Sequence, residues 1–244
     1  MSRTSRQKNR NIMAARRGPS LNLLLTGAVV LVAVLVIGGV LLVNRSGEEG
    51  AAPNEALFPV GAHTLSRVDG DKVTLVEFLD FQCPACASYY TNITKKLEQD
   101  YHGRITFVTR NFPLEMHPLA VPAARAAEAA AKQGRYAEMY HALYDNFDQW
   151  AVDGQSTSAD VGRATTKFEE YATSLGLDLE RFRADMASPE VQAAIDSDVA
   201  DGTELGVSST PTFFLNGEQF RPTGRTVADI DRELRAKIDA ALAG

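Results

Sequence analysis

Four patterns of apolar and polar positions succeed one another along this chain. From Leu21 to Val43 no residue is charged and most are Leu, Val, Ile, Ala or Gly, a run long enough at about 1.5 Å per residue to cross a hydrocarbon core of roughly 30 Å. From Asn44 to Pro59 large apolar side chains almost vanish, which reads as a flexible linker. From Val60 onward short apolar runs appear: His63–Val68 closed by Asp69-Gly70, Val73–Phe78, and Ile105–Arg110, each the length of a strand. Between the last two lies Ser88–Asp100, where Tyr90, Ile93 and Leu97 keep helical spacing. Strand, helix and strand of these lengths predict a parallel βαβ unit.

The middle of the chain turns helical. Ala123–Ala131 is a run of strong helix formers, and Tyr136, Met139, Tyr140 and Leu143 continue the period. A polar loop around Asp153–Ser158 follows, then Phe168, Tyr171, Ala172 and Leu175 mark a helix stopped by Gly176. Asp178 is placed to cap the next helix, and Ser188-Pro189-Glu190 supplies a cap, a first-turn proline and an early acid for one ending near Leu205. The strand pattern returns at Thr212–Leu215, and Asn216-Gly217 signals a tight hairpin into Gln219 and Phe220. Val227, Ile230, Leu234, Ile238 and Leu242 form one apolar stripe on a closing helix. The expected order is βαβ, helical insertion, ββα: an α/β domain over residues 60–244.

Charge changes the reading of the N-terminus. Residues 1–20 carry Arg3, Arg6, Lys8, Arg10, Arg16 and Arg17 and no acid. Such a flank stays in the cytoplasm, so 21–43 is expected to be a single-pass transmembrane anchor with everything after Asn44 outside. A cleaved signal peptide is the alternative, but its apolar region is usually about 7–15 residues. The whole chain, 244 residues with a net charge of -6, gives no indication of nucleic-acid binding. The oxidising outer compartment permits disulfides.

The only two cysteines are Cys83 and Cys86, at the junction of the second strand and its helix. Residues three apart on a helix are close enough to bridge. The first turn offers unpaired N–H groups that stabilise a thiolate at Cys83, with Pro84 at a favoured first-turn position. Cys86, inside the helix, is the expected resolving thiol. Two other readings remain: a staple, which would close a very short loop and stabilise little, and a zinc site, which needs four ligands although His63, His102, His117 and His141 show no paired spacing. Glu77 stands in an otherwise apolar strand; it either exchanges a proton with Cys86 from a buried site or sits on the solvated side of an edge strand. Thr210-Pro211 precedes a strand, and a cis bond there is compatible with the spacing.

Glu77-Phe78-Leu79-Asp80-Phe81-Gln82-Cys83-Pro84-Ala85-Cys86, with Thr210-Pro211-Thr212-Phe213-Phe214-Leu215-Asn216-Gly217 downstream, resembles the thioredoxin-fold disulfide oxidoreductases of the DsbA-like family. Arg110-Asn111-Phe112-Pro113-Leu114 and His117-Pro118-Leu119-Ala120 extend the likeness. The resemblance implies a thioredoxin fold with an insertion at about 118–205. Cys83 and Cys86 become the redox pair, Pro211 a cis-proline facing them, Thr210 a backbone partner for substrate, and Glu77 the buried acid. It implies exported cysteine-containing proteins as substrates, a quinone-linked membrane oxidase as partner, and no cofactor or metal. The dipeptide Pro84-Ala85 departs from the Pro-His of the strongly oxidising enterobacterial member, which leaves the direction of exchange open. An extracytoplasmic reductase, as in cytochrome maturation, and a peptide-binding module with a structural disulfide are the alternatives.

Overall fold

The computed structural model of the protein describes residues 53–70 and 73–244. The basic tail 1–20, the apolar run 21–43 and the first part of the 44–59 segment lie outside the described residues. Among the described residues no helix is long and apolar enough to cross a membrane.

A five-stranded mixed sheet forms the centre. Its strands are β1 (His63–Ser66), β2 (Thr74–Leu79), β3 (Thr106–Asn111), β6 (Thr212–Leu215) and β7 (Glu218–Gln219), in the order β1-β3-β2-β6-β7. β2 and β3 are parallel, and the other neighbours are antiparallel. The parallel pair needs a crossover. It is supplied by α2 (Pro84–Tyr89), a π-helical turn (Tyr90–Thr94) and α3 (Lys95–Asp100). The π turn has a local cause: Thr91 Oγ1 and Asn92 Nδ2 donate to the carbonyls of Ala87 and Ser88, four residues back. Side-chain bonds of this kind compete with the regular backbone ladder.

β2 is central, with its edges paired to β3 and β6, and its two faces are buried by separate apolar clusters. Leu75, Glu77 and Leu79 point to one side; Val76 and Phe78 point to the other. The edge-strand reading of Glu77 is thereby excluded.

The insertion between β3 and β6 contains α4 (Ala120–Ala131), α5 (Tyr136–Asp145), α6 (Phe147–Trp150), a two-stranded ribbon of β4 (Val152–Asp153) and β5 (Ser156–Thr157), α7 (Val161–Ser174), α8 (Leu179–Met186) and α9 (Pro189–Glu204). The ribbon falls where the polar loop was expected. Asp178 accepts from the Arg181 N–H and Ser188 from the Val191 N–H, which fixes the starts of α8 and α9. Small Ala side chains along α4 let it pack closely, and Ala123, Ala126, Ala127 and Ala130 are fully buried. Asn216 and Gly217 both have positive φ, at 51° and 89°, as the tight β6–β7 turn requires. α10 (Val227–Ala243) buries Ile230, Leu234 and Ile238 against the same face as α2.

The N-terminal boundary differs from the expected one. Within the segment read as linker, Pro53–Leu57 forms α1, and Leu57 packs with Val76, Phe78, Val108, Phe112, Val207 and Phe214 on the face of the sheet away from Cys86. The fully buried Arg110 explains the docking. Its guanidinium donates to the Ala56 carbonyl and pairs with Asp198 and Asp201 of α9. A charged residue of β3 thus reaches out of the core and holds the start of the domain.

Candidate active site

β2 ends at Leu79, and the chain reaches α2 through Asp80, Phe81 and Gln82. Asp80 is nearly inaccessible. Its Oδ1 accepts from the Gln82 N–H at 2.7 Å, and its Oδ2 accepts from the Leu114 N–H at 2.9 Å and meets His117 Nδ1 at 2.6 Å. Burial raises the Asp80 pKa, opposed by those donors. Gln82, also fully buried, donates through Nε2 to the carbonyls of Ala151 and Ser158, while its Oε1 accepts from the Leu119 N–H. Two polar side chains therefore fasten the loop before Cys83 to both ends of the first half of the insertion.

Cys83 is the N-cap residue of α2, with extended φ/ψ of -70° and 121°, and Pro84 opens the first turn. Pro84 and Ala85 are exposed, whereas Cys83 is 6% and Cys86 0% accessible. Both cysteines are free thiols. Their chemistry diverges. The Cys83 pKa falls from 9.0 to about 6, chiefly because the Cys86 thiol donates to its sulfur, with the Cys86 and Ala85 N–H groups adding to this against the cost of burial. The Cys86 pKa rises well above its usual value through burial, its bond to Cys83 and the nearby charges of Cys83 and Glu77. At neutral pH this pair is one thiolate and one thiol.

Across from Cys83 lies the turn before β6. The Thr210–Pro211 peptide bond is cis, and Cys83 Sγ lies 3.6 Å from the Thr210 carbonyl, to which it donates only when protonated. Tyr89 stacks on Phe213 at a centroid distance of 6.0 Å, and these rings with Pro211, Phe220 and Ile230 border a cavity of about 70 Å³. Glu77 lies behind the cysteines at 1% exposure. Burial lifts its pKa from 4.5 to about 8, and the facing Tyr140 hydroxyl offsets only part of this. Cys83, Cys86, Glu77, Thr210 and Pro211, separated by up to 134 positions in the sequence, converge here.

Sequence reasoning did not find Asp80, Gln82 and the tyrosines of α5. Asp80 and Gln82 had a signal: two polar residues flanking Phe81 inside an otherwise apolar approach to the cysteines. Tyr140 and Tyr144 had none, since their spacing fits any buried helix. His117, part of the stretch that extends the family likeness, is the partner of Asp80. Among the described residues no group of three His, Cys, Asp or Glu side chains is arranged to hold a metal.

A Cys-x-x-Cys pair at a helix start, faced by a cis-proline before an antiparallel strand of a mixed sheet, defines a thioredoxin-type protein. The chain belongs to the thioredoxin family, whose model matches residues 70–236. Among solved structures it is similar to a thioredoxin-like oxidoreductase from Silicibacter pomeroyi, at 29% identity and a TM-score of 0.60 over 79% of this chain and 99% of that one. It shares the fold of oxidised BdbD from Bacillus subtilis, at 20% identity and a TM-score of 0.62 over 76% and 95% of the two chains. A Na(+)/H(+) antiporter NhaA 1 from Mycolicibacterium gilvum is 35% identical over 178 residues, 67% of this chain and 26% of the antiporter. The chain thus spans about a quarter of the length of the curated relatives it matches.

Proposed function

We propose that this protein is a thiol–disulfide oxidoreductase of the DsbA type that donates a Cys83–Cys86 disulfide to exported proteins. The observation that carries the reading is the opposite displacement of the two thiol pKa values within one pair, Cys83 down to about 6 and Cys86 up. A stabilised Cys83 thiolate favours the reduced form, which makes the disulfide the better oxidant.

In the reaction a substrate thiolate attacks Cys83 Sγ, the S–S bond breaks, and its electron pair leaves on Cys86 Sγ. The Glu77 carboxyl, protonated at neutral pH, gives that sulfur a proton. A second substrate thiolate then attacks the substrate sulfur of the mixed disulfide and releases Cys83 as a thiolate. The substrate chain runs along Thr210 and cis-Pro211, whose backbone pairs with it. Two electrons pass from the dithiol to a quinone-linked oxidase in the membrane. Residues 21–43 anchor the chain there, with the N-terminus cytoplasmic and the thioredoxin-like domain outside.

The test is the redox state in cells, read by alkylation of trapped thiols. An oxidase is held mainly as the disulfide and passes through mixed disulfides with exported proteins. A mainly reduced pair would replace this reading with that of a reductase, and a disulfide that never turns over would leave a structural staple.

A further inference from the structure

The loop at 220–226, between β7 and α10, runs along the cavity beside cis-Pro211. Residues 220–224 adopt no regular secondary structure, so no strand ladder fixes their path. Hydrogen bonds and one close approach fix it instead. The Phe220 N–H donates to the Phe213 carbonyl at 2.8 Å, which ties the start of the loop to β6. Glu233 of α10 turns both carboxylate oxygens toward the middle: Oε2 accepts from the Thr223 N–H at 2.8 Å and Oε1 from the Thr223 hydroxyl at 2.9 Å. Gly224 lies so close to the helix that a Cβ there would stand 2.4 Å from Asp229 Cβ, so any larger residue would push the loop away. Thr226 then caps α10 by accepting from the Asp229 N–H.

What these contacts hold is Pro222. It stands between the tied Phe220 and Thr223, is exposed, and lines the cavity with Tyr89, Pro211, Phe213, Phe220 and Ile230. None of the described residues that line this cavity is charged, and its volume is about 70 Å³. At roughly 30 Å³ for each water in the liquid there is room for about two, the bulk of a short aliphatic side chain and less than that of an indole. Pro211 borders the cavity, and the Thr210 carbonyl next to it is 3.6 Å from Cys83 Sγ. A chain lying along Thr210 and Pro211 therefore passes the mouth of the cavity.

A glutamate on a helix surface is free to turn to water. Here the Thr223 N–H and hydroxyl, with the Gly224 N–H, hold the Glu233 carboxyl below the usual carboxylate range, and bonds to an ionised acceptor are the stronger kind. Resting on the reading given above, we propose that Glu233 is a positioning residue whose clamp on Thr223 and Gly224 keeps Pro222 as a wall of the cavity beside cis-Pro211, and that this cavity takes one short aliphatic side chain of the substrate next to its reacting cysteine.

The clamp touches no reacting atom. Without it the loop takes paths in which Pro222 leaves the cavity, and the apparent affinity for substrate falls with the fraction of molecules whose wall is in place. The Cys83 thiolate is held by Cys86, Thr210 and Ala85 and not by this loop. A small thiol that reaches only Cys83 is indifferent to the loss.

The experiment is single-turnover reduction of the oxidised full chain by two-cysteine peptides that carry valine, tryptophan or aspartate flanking each cysteine, with dithiothreitol as the small-thiol control. Glu233→Ala removes the clamp, and Gly224→Ala pushes the loop off α10 by a separate route. Both should raise the half-saturating concentration of the valine peptide on the order of ten-fold, while the limiting rate and the dithiothreitol rate keep their wild-type values. Glu233→Gln should restore wild-type behaviour, since an amide accepts from the Thr223 N–H and donates to the Thr223 hydroxyl. Wild type should saturate at the lowest concentration with the valine peptide, and both alanine variants should lose that preference. An unchanged half-saturation in both alanine variants would overturn the clamp. So would a dithiothreitol rate that falls together with the peptide rate, because the loop would then be shaping the thiols. Equal half-saturation of wild type by all three peptides would overturn the assigned occupant. A wild-type chain that oxidises neither the peptides nor dithiothreitol would instead remove the thiol–disulfide reading itself.

Discussion

Cys83 and Glu77 are both buried, yet their pKa values move in opposite senses for an acid. At Cys83 the donors win: the Cys86 thiol and two backbone N–H groups stabilise the thiolate, and the value falls to about 6. At Glu77 desolvation wins, because Oε2 has no donor and Tyr140 offers little, and the value climbs to about 8. The consequence for stability follows by linkage. A carboxyl whose folded pKa, about 8, exceeds its ordinary 4.5 keeps its proton in the folded state where the unfolded chain has lost it. Its contribution is fully present below pH 4.5 and is lost as pH rises through about 8. In the disulfide form Cys83 does not titrate, which isolates this effect. The Tm of oxidised wild type should therefore fall more steeply between about pH 5 and pH 9 than that of Glu77→Gln, and parallel curves would show that Glu77 is ionised in the fold. In the reduced form Cys83 acts with the opposite sign, adding stability as pH rises from about 6 toward 9.0.

The loop from Asp80 to Gln82 is the element that joins sheet, redox helix and insertion. Its two side chains do what backbone ladders cannot do across an irregular junction: they satisfy the Leu114 and Leu119 N–H groups and the Ala151 and Ser158 carbonyls. A buried group left without its partner costs about 1–3 kcal/mol. Gln82→Ala strands the Leu119 N–H and the Ser158 carbonyl, while the Ala151 carbonyl keeps its bond from the Ser158 N–H, so we expect a loss of roughly 2 kcal/mol or more in denaturant unfolding. The loss of loop geometry should also weaken the thiolate, seen as a later rise in thiolate absorbance when the pH is increased. A variant with wild-type stability would mean that solvent reaches this junction.

At the scale of the whole molecule, the domain starts earlier than its composition suggests. α1 closes the face of the sheet opposite the cysteines, with Leu57 at 2% exposure and Arg110 bridging Ala56 to α9. Removing residues 1–57 deletes one fully buried leucine and orphans part of a buried guanidinium. Loss of a buried leucine alone costs about 2–5 kcal/mol. A chain beginning at Phe58 should be less stable by at least about 2 kcal/mol than one beginning at Pro53. Equal unfolding midpoints would return Pro53–Leu57 to the linker.

The sequence by itself determined the frame and the chemistry. Strand and helix periods, the Asn216-Gly217 turn and the caps at Asp178 and Ser188 are local, so each could be read where it stands. The cysteine pair and Glu77 were conspicuous because they break an apolar pattern. The tertiary structure decided what depends on neighbours distant in the chain. It placed β2 in the centre of the sheet, which turned Glu77 from a strand acid with two readings into a buried one with a raised pKa. It set Thr210 and cis-Pro211 against Cys83, bound His117 to Asp80, and brought Tyr136 of α5 onto His63 and Thr109. Periodicity records which face a residue shares and says nothing of which other element covers that face. The groups beside Glu77 come from α2, β3 and α5, and packing alone brings them to it.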